Sequence, residues 1–222
     1  MQATRIIAIR HGETAWNVDT RIQGHLDIPL NDTGLWQAQQ VARGLRGEPV
    51  AAVYTSDLLR AQATAQAVAE ATGAPLHSDV RLRERHFGHF QGRTFAEIEA
   101  ELPEDALRWR KRDPLYAPGG GGESLVALRQ RIEDTVAVLA QRHIGEQVVM
   151  VAHGGVLDVL YRLATRQDLQ APRTWQLANA AINRLLWTTD GLALVGWADT
   201  QHLDHSDHPD QPRHKARDET HT

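Results

Sequence analysis

The sequence predicts an α/β fold, namely a three-layer sandwich in which helices cover both faces of a mainly parallel sheet. Two short runs, 6–9 and 148–152, are apolar at every position, which is typical of strands that are buried on both faces. Such runs alternate along the chain with longer stretches in which apolar residues have helical spacing. The 222 residues, of which 41% are hydrophobic, are enough for one domain with a substantial core.

Each predicted element has a local signal in the sequence. Strands are predicted at 6–9, 50–54, 148–152, 181–188 and 192–198, and helices at 33–45, 57–72, 125–139 and from 154 or 155 to about 166. The alanine-rich stretch 57–72 ends before Gly73. Ser124 is the predicted N-cap of the clearest helix, because its hydroxyl can accept a backbone N–H. Asp190 and Gly191 predict a tight turn, so the last two strands form a hairpin.

The chain divides into one domain, an insertion within it and a tail. We expect a single domain over 1–204, since no repeat or boundary interrupts the pattern. The stretch 94–122 is polar and then rich in proline and glycine, which predicts a small helical lid beside the main sheet. Residues 205–222 contain no hydrophobic residue except Ala216, and we expect them to be disordered.

Charge and composition exclude several classes of function. Lysine and arginine number 24 against 28 aspartates and glutamates, so the net charge of −4 argues against a nucleic-acid or membrane-surface partner. The absence of cysteine removes disulfides, thiolate nucleophiles and cysteine-based metal sites. The apolar run at 6–9 is too short for the core of a signal peptide, and we expect a cytoplasmic protein.

Two histidines stand directly after predicted strands. His11 follows the first strand, His153 follows 148–152, and a glycine comes after each of them. In open α/β sheets, ligands bind outside the carboxyl ends of the strands. A glycine there lets a backbone N–H approach a ligand, and Gly154 also begins a helix whose free N–H groups favour an anion. One such histidine is often a loop residue without a role, but two of them indicate a site.

Basic and polar residues in the neighbouring loops suit the same ligand. Arg10 precedes His11, and Arg60 begins the helix after the second strand. Gathered around one point in a protein of net negative charge, these groups form a positive pocket that suits a phosphate, because guanidinium forks match phosphate oxygens. The further candidates in loops are Asn17, Gln23 and Gly24, followed by Arg83, Glu84 and Arg85.

The chain carries a series of short motifs in a fixed order. They are Arg10-His11-Gly12-Glu13-Thr14 with Asn17, Gln23-Gly24, Pro29-Leu30-Asn31 with Gly34, Ser56-Asp57-Leu58, Arg60-Ala61 with Thr64-Ala65, Leu82-Arg83-Glu84 with Gly88 and Gly92, Gly122-Glu123-Ser124, and His153-Gly154-Gly155. Any one of them alone is weak evidence, but the ordered series is specific. Over roughly residues 4–203 the chain resembles the histidine phosphatase superfamily (phosphoglycerate mutase-like proteins), and within it the phosphatases with a small lid.

The resemblance implies a role for each candidate residue. His11 is similar to the nucleophile that takes the phosphoryl group, while Arg10, Arg60 and His153 are similar to the residues that neutralise its oxygens. Glu84 resembles the acid that protonates the leaving oxygen and then activates water. Substrate contacts are implied for Asn17, Gln23, Gly24, Arg85 and Gly154. No metal and no cofactor is implied, because arginine and histidine supply the positive charge that Mg²⁺ supplies elsewhere.

Three functions remain open. The resemblance favours a metal-independent phosphomonoesterase that acts through a phosphohistidine on a small phosphorylated metabolite. The alternative is a cofactor-dependent phosphoglycerate mutase, which is an isomerase. A non-catalytic protein that binds phosphorylated ligands is disfavoured, because the whole set of catalytic residues is present. The short stretch from Glu84 to Ser124 favours the phosphatase, since the mutases of the family carry a longer basic insertion that shields the phosphohistidine from water. Assembly as a homodimer is left open.

Overall fold

The computed structural model describes residues 3–204, which contain six strands and seven α-helices. The strands are β1 (Thr4–Arg10), β2 (Ala52–Thr55), β3 (Leu76–Ser78), β4 (Gln147–Ala152), β5 (Ile182–Thr188) and β6 (Gly191–Asp199). The helices are α1 (Ala15–Val18), α2 (Asp32–Gly44), α3 (Leu59–Thr72), α4 (Phe95–Glu101), α5 (Pro103–Arg110), α6 (Leu125–Gln141) and α7 (Gly154–Thr165). None of these helices is long and apolar enough to cross a membrane. The predicted disordered tail, 205–222, lies outside the described residues.

The six strands form one sheet in the order β3-β2-β4-β1-β5-β6. The strands β3, β2, β4 and β1 pair with one another in parallel, whereas β5 pairs antiparallel with both β1 and β6. The hairpin predicted at Asp190 is present, and Gly191 within it has φ +116°, a conformation that glycine adopts readily. The prediction of a mainly parallel sheet with a terminal hairpin is therefore confirmed.

Alternate side chains of the central strands face two separate apolar cores. Ile6 of β1 packs in a core with α6 and α7, whereas Ile7 packs on the opposite face with α2 and α3. Each of these two side chains is 1% exposed. A strand that is covered on both faces must be apolar at every position, which explains the uninterrupted run at 6–9. The predicted three-layer sandwich is confirmed.

Two elements differ from the prediction for local reasons. The sequence does not predict β3, which is only three residues long, lies at the edge of the sheet and is exposed at two positions. An edge strand of this kind lacks the apolar run by which buried strands are recognised. The second strand begins at Ala52 rather than at 50, because Val50 lies before the first residue pair with β4.

The stretch 94–122, predicted as a lid, folds into two short helices and a loop. Its apolar core is separate from the two main cores and consists of Phe90, Ile98, Ala106 and Tyr116. The loop leads to α6, where the hydroxyl of Ser124 accepts a backbone N–H of the first helical turn, as the N-cap prediction requires. This segment therefore packs as a unit of its own, and its function as a lid stays a prediction.

Truncating Ile132 on α6 tests how much the covered face of the sheet contributes to stability. Ile132 is fully buried, so Ile132→Ala leaves a cavity and should lower the free energy of unfolding by about 2–5 kcal/mol. Val138 lies on the same helix but is 38% exposed, and Val138→Ala should change that free energy by only about 0.5 kcal/mol. Urea titration measures both values. Equal losses in the two variants would contradict this packing of α6.

Candidate active site

His11 and His153 are neighbours because β1 and β4 are adjacent parallel strands. Arg10 pairs with Ala152 at the end of the two strands, so the residues that follow leave the sheet at the same level. The ring centroids of the two histidines are 5.2 Å apart, and both side chains are buried. The structure thus brings together the two histidines that the sequence places at strand ends.

The hydrogen bonds of His11 leave one ring nitrogen available as a nucleophile. Nδ1 lies 2.7 Å from the carbonyl oxygen of Gly12, and an acceptor at that position requires the ring proton on Nδ1. The lone pair of the neutral ring is then on Nε2. The main chain is fixed as well, since the N–H of His11 donates to Ala152 and its carbonyl accepts a bond of 2.8 Å from the side-chain amide of Asn179.

Ser56, directly after β2, is a hydrogen-bond partner of His153. The Oγ of Ser56 lies 2.7 Å from Nε2 of His153 and accepts the N–H of Leu58. The Oγ can donate its own hydrogen to Nε2, and with that assignment the ring proton of His153 is on Nδ1. That Nδ1 is buried and has no partner among the described residues. The predicted site residues did not include Ser56, although it stands in one of the motifs.

Arg10 and Arg60 are held by main-chain carbonyls rather than by carboxylates. Nη1 of Arg10 donates to Leu177 at 2.5 Å, while Nη1 and Nη2 of Arg60 donate to Leu26 and Gly24 at 2.9 and 2.7 Å. The Nε of each arginine is buried and unpaired within the described part of the chain. Buried N–H groups normally have acceptors. These two donors, together with the unpaired histidine donor, therefore indicate a site for an anion.

Burial dominates the electrostatics of this site. Desolvation holds the pKa of His11 and that of His153 well below 6.5, and the nearby arginine charges lower both further. Burial also lowers the pKa of Arg60 to about 10 and lowers that of Arg10. At pH 7 both histidines are neutral and both arginines are charged. The site therefore combines a neutral imidazole, which is nucleophilic, with guanidinium charges that favour an anionic ligand.

Glu84 lies against the first turn of α7. Its Oε2 accepts the N–H of Gly155 at 3.0 Å, and its Oε1 accepts the N–H of Arg85 at 2.7 Å. A Cβ at position 155 would lie 2.3 Å from Oε1, so only glycine leaves room for this carboxylate. A Cβ at Gly154 would lie 3.6 Å from Nε of Arg10 and 3.9 Å from Oε2 of Glu84. The carboxylate and an unpaired guanidinium donor therefore face the same small space.

The loop after β1 brings three predicted residues towards the site. Asn17 closes a capping box at α1, and its Oδ1 lies 3.4 Å from the side-chain nitrogen of Asn179. Gln23 is buried, and its Oε1, which is a hydrogen-bond acceptor, has no partner within residues 3–204. Gly24 has φ +53°, and its carbonyl binds Arg60. In the structure, Gly24 therefore helps to hold Arg60 in place, and its predicted contact with the substrate stays a prediction.

Arg85, predicted to contact the substrate, is bonded to the lid and its connecting loop. Its Nε donates to the carbonyl of Glu123 at 2.7 Å, and its Nη2 donates to the carbonyl of Tyr116 at 3.0 Å. The guanidinium lies 4.8 Å from the ring centre of Trp109. These contacts make Arg85 an anchor between the Glu84 segment and the lid, and they lend no support to the predicted substrate contact.

Thr64 and Asn179 also support the site, although the predicted site residues did not include them. The Oγ1 of Thr64 accepts the N–H of Gly12 at 3.0 Å and donates to the carbonyl of Arg60, which links the two main-chain segments. Thr64 follows Arg60 by one helical turn within a motif, so its spacing was a usable signal. Asn179 belongs to no motif, and only the tertiary structure places it at His11.

We expect the two buried histidines to make the protein less stable below pH 6.5. In the unfolded chain a histidine binds a proton near pH 6.5, whereas burial keeps His11 and His153 neutral to well below that value. Because the unfolded state binds more protons in this window, stability should increase with pH by up to about 1.4 kcal/mol per unit for each histidine. Urea titrations between about pH 5 and 6.5 should give a smaller slope for His153→Asn than for the wild type. An unchanged slope would mean that His153 is charged in the folded protein.

Comparison with known proteins agrees with this geometry. Residues 6–200 match the histidine phosphatase superfamily (branch 1). Two similar proteins come from Arabidopsis thaliana: phosphoglycerate mutase-like protein 4 is 39% identical over 202 residues (90% of this chain and 86% of the relative), and metal-independent phosphoserine phosphatase is 38% identical over 205 residues (91% and 84%). The solved structure of Bacillus stearothermophilus YhfR is similar with a TM-score of 0.83 and 32% identity, covering 91% of this chain and 100% of that one. The protein with this pair of strand-end histidines belongs to the histidine phosphatase superfamily.

Proposed function

We propose that the protein is a metal-independent phosphomonoesterase, which hydrolyses a small phosphorylated metabolite through a phosphohistidine at His11. The observation that carries this proposal is a set of buried side-chain nitrogens that have no acceptor among residues 3–204, namely Nε of Arg10, Nε of Arg60 and Nδ1 of His153. A phosphoryl group in transfer carries its charge on three equatorial oxygens. Three preorganised donors beside a neutral imidazole match that charge distribution.

In the first step, Nε2 of His11 attacks phosphorus and the bond between phosphorus and the leaving oxygen breaks. The proton on Nδ1 stays in its hydrogen bond to the carbonyl of Gly12, so the ring does not rotate during the transfer. The carboxyl of Glu84 gives its proton to the leaving oxygen, which departs as an alcohol. The arginines hold the phosphoryl oxygens throughout and supply the positive charge.

In the second step, a water molecule attacks phosphorus and the bond between phosphorus and Nε2 breaks. Glu84, now a carboxylate, accepts the proton of that water, and the electron pair returns to the imidazole of His11. Orthophosphate leaves, and Glu84 is protonated again for the next turnover. The N–H groups of Gly155 and Arg85 keep the carboxyl in one place during both steps.

The proposed substrate is the phosphate ester of a small alcohol. One similar protein is named for phosphoserine, which is such an ester. Asn17 and Gln23 are proposed to donate to the phosphate or the leaving group, and Gly154 is proposed to leave room for the ester beside Arg10. We place this activity in the cytoplasm, and assembly as a homodimer stays open.

A phosphoglycerate mutase is the second candidate, because one of the similar proteins carries a mutase-like name. The two activities differ in whether water or a phosphoglycerate takes the phosphoryl group from His11. The lid helices α4 and α5 have only 7 and 8 residues, and a small cover favours access of water. An assay with 3-phosphoglycerate and catalytic bisphosphoglycerate distinguishes the two, since a phosphatase releases orthophosphate and a mutase forms 2-phosphoglycerate.

Glu84→Gln should separate two classes of ester. Glutamine keeps the shape of the side chain but delivers no proton, so turnover of an alkyl phosphate should fall about 10²–10⁴-fold. The leaving group of p-nitrophenyl phosphate departs as a stabilised phenolate, and the first step on this ester should lose less. Because water attack then lacks its base, an acid-labile phosphoenzyme should accumulate with the aryl ester.

Single-turnover assays in buffer that contains EDTA measure these effects. His11→Ala is the control, and it should abolish both reactions and form no phosphoenzyme. Equal losses on the two esters, with no trapped intermediate, would mean that Glu84 is not the acid and would leave Glu13 as the next carboxylate to test. Loss of all wild-type activity in EDTA, with recovery in Mg²⁺, would refute the metal-independent mechanism.

Gly155→Ala should displace the same carboxyl without altering it chemically. The new Cβ would lie 2.3 Å from Oε1 of Glu84, so the carboxyl must move, and turnover of an alkyl phosphate should fall by at least about tenfold. Gly196→Ala in β6 is a matched control, because no heavy atom lies within 4 Å of its Cβ position. If both variants turn over the alkyl ester equally well, the assignment of Glu84 to this position is wrong.

A further inference from the structure

An ion pair at the start of α6 lies behind the segment that carries Glu84. Arg131 binds the carboxylate of Glu123 through two hydrogen bonds, one from Nε at 2.8 Å and one from Nη2 at 2.7 Å. The side chains of Arg131 and Glu123 are 23% and 17% exposed, so both charges are largely shielded from solvent. These two residues are called the clamp below.

Arg131 also binds the main chain that leads into Glu84. Its Nη1 donates to the carbonyls of Arg81 and Arg83 at 2.6 and 2.9 Å, and its Nη2 donates to the carbonyl of Glu84 at 3.3 Å. The same Glu84 carbonyl accepts a hydrogen bond of 2.8 Å from Nε2 of His25. Since Glu84 lies in neither a helix nor a strand, these side chains replace the regular hydrogen bonds that would otherwise fix its main chain.

Glu123 binds the main chain and side chain of the residues that come just after Glu84. Its N–H donates to the carbonyl of His86 at 2.7 Å, and its carbonyl accepts the Nε of Arg85, also at 2.7 Å. Arg131 thus restrains the chain up to the carboxyl-bearing residue, and Glu123 restrains the chain beyond it. The clamp brackets Glu84 from both sides.

The electrostatics of the site give a reason for such a restraint. The buried charges of Arg10 and Arg60 both interact with the carboxylate of Glu84. An ion pair with either arginine would fill the space for a phosphoryl group and would draw the carboxyl away from the leaving oxygen. In the structure its oxygens bind main-chain N–H groups instead. A fixed main chain at Glu84 helps to keep the carboxyl at that position.

We propose that Glu123 and Arg131 are positioning residues, which hold Glu84 where it can exchange a proton with the leaving oxygen. This inference rests on the proposed phosphatase function. In the structure both act through the main chain around Glu84, and the buried donors of the phosphate site belong to other residues. Removing the clamp should therefore slow protonation of the leaving group and leave binding of orthophosphate unchanged.

Arg131→Met tests the clamp, with Arg129→Met as the matched control. Arg129 lies on the same helix, its side chain is 42% exposed, and its nearest carboxylate contact is 3.9 Å from Glu133. In single-turnover assays we expect Arg131→Met to slow the first step on an alkyl phosphate at least about tenfold and the first step on p-nitrophenyl phosphate less than about threefold. The inhibition constant of orthophosphate should stay within about twofold of the wild-type value, because Arg10 and Arg60 are intact. Arg131→Lys should recover part of the activity, since an ammonium can bind a carbonyl but cannot form the two-bond pair.

Two results would overturn the proposal. One is an equal loss on both esters, which a merely structural role would produce, and the other is behaviour like that of Arg129→Met. If Arg131→Met does not fold, Glu123→Gln takes its place with the same expectations, because it keeps the shape and weakens the pair. His11→Ala separates this test from the proposed function. Phosphatase activity that survives in His11→Ala refutes the phosphohistidine mechanism on which the inference rests, whereas failure of the clamp variants alone refutes only the positioning role.

Discussion

Parallel pairing of β1 with β4 is the constraint on which the candidate site depends. The register runs from Arg5 opposite Gln147 to Arg10 opposite Ala152, and it places the two histidines that follow at one level of the sheet. A shift of one residue would turn every side chain of β1 to the other face, exchanging the residues of the two apolar cores. The packing of helices on both faces and the geometry of the site are therefore maintained by the same register.

Burial of positive charge without a carboxylate partner is the second constraint. Arg10 and Arg60 are bound by carbonyls, which offset part of the cost of taking a guanidinium out of water, and the carboxylate of Glu84 compensates their charge only in part. Burial, together with these charges, keeps the neighbouring histidines neutral. The Nε of each arginine has no partner among the described residues. A dianionic phosphate ester supplies both the missing acceptors and the missing charge, which is why the geometry favours that ligand.

A carboxylate in such a field must be held away from the arginines, and much of the surrounding structure serves this purpose. Gly155, in the first turn of α7, leaves room for the carboxyl of Glu84 and donates its N–H to that carboxyl. Arg85, the residue after Glu84, binds the carbonyl of Tyr116 in the 94–122 segment, and the clamp connects the chain around Glu84 to α6. The 94–122 segment and α6, which belongs to one helical layer of the sandwich, are thus linked by hydrogen bonds to the chain that carries Glu84.

The sequence by itself determined the fold class, because strands buried on both faces must be apolar throughout and this signal is local. It also predicted that His11, His153, Arg10 and Arg60 lie together, since they stand near strand ends that parallel strands bring to one edge, whereas the role of Glu84 came from the resemblance of the ordered motifs. Only the tertiary structure decided three further contacts. They are the contacts of the Arg85 side chain, the hydrogen bond from Asn179 to His11, 168 positions earlier, and the clamp. Apart from the ion pair between Arg131 and Glu123, these contacts join side chains to main-chain carbonyls, and every residue type has such a carbonyl. The sequence therefore carries no signal of which carbonyl a given side chain will meet, and only the packed chain decides it.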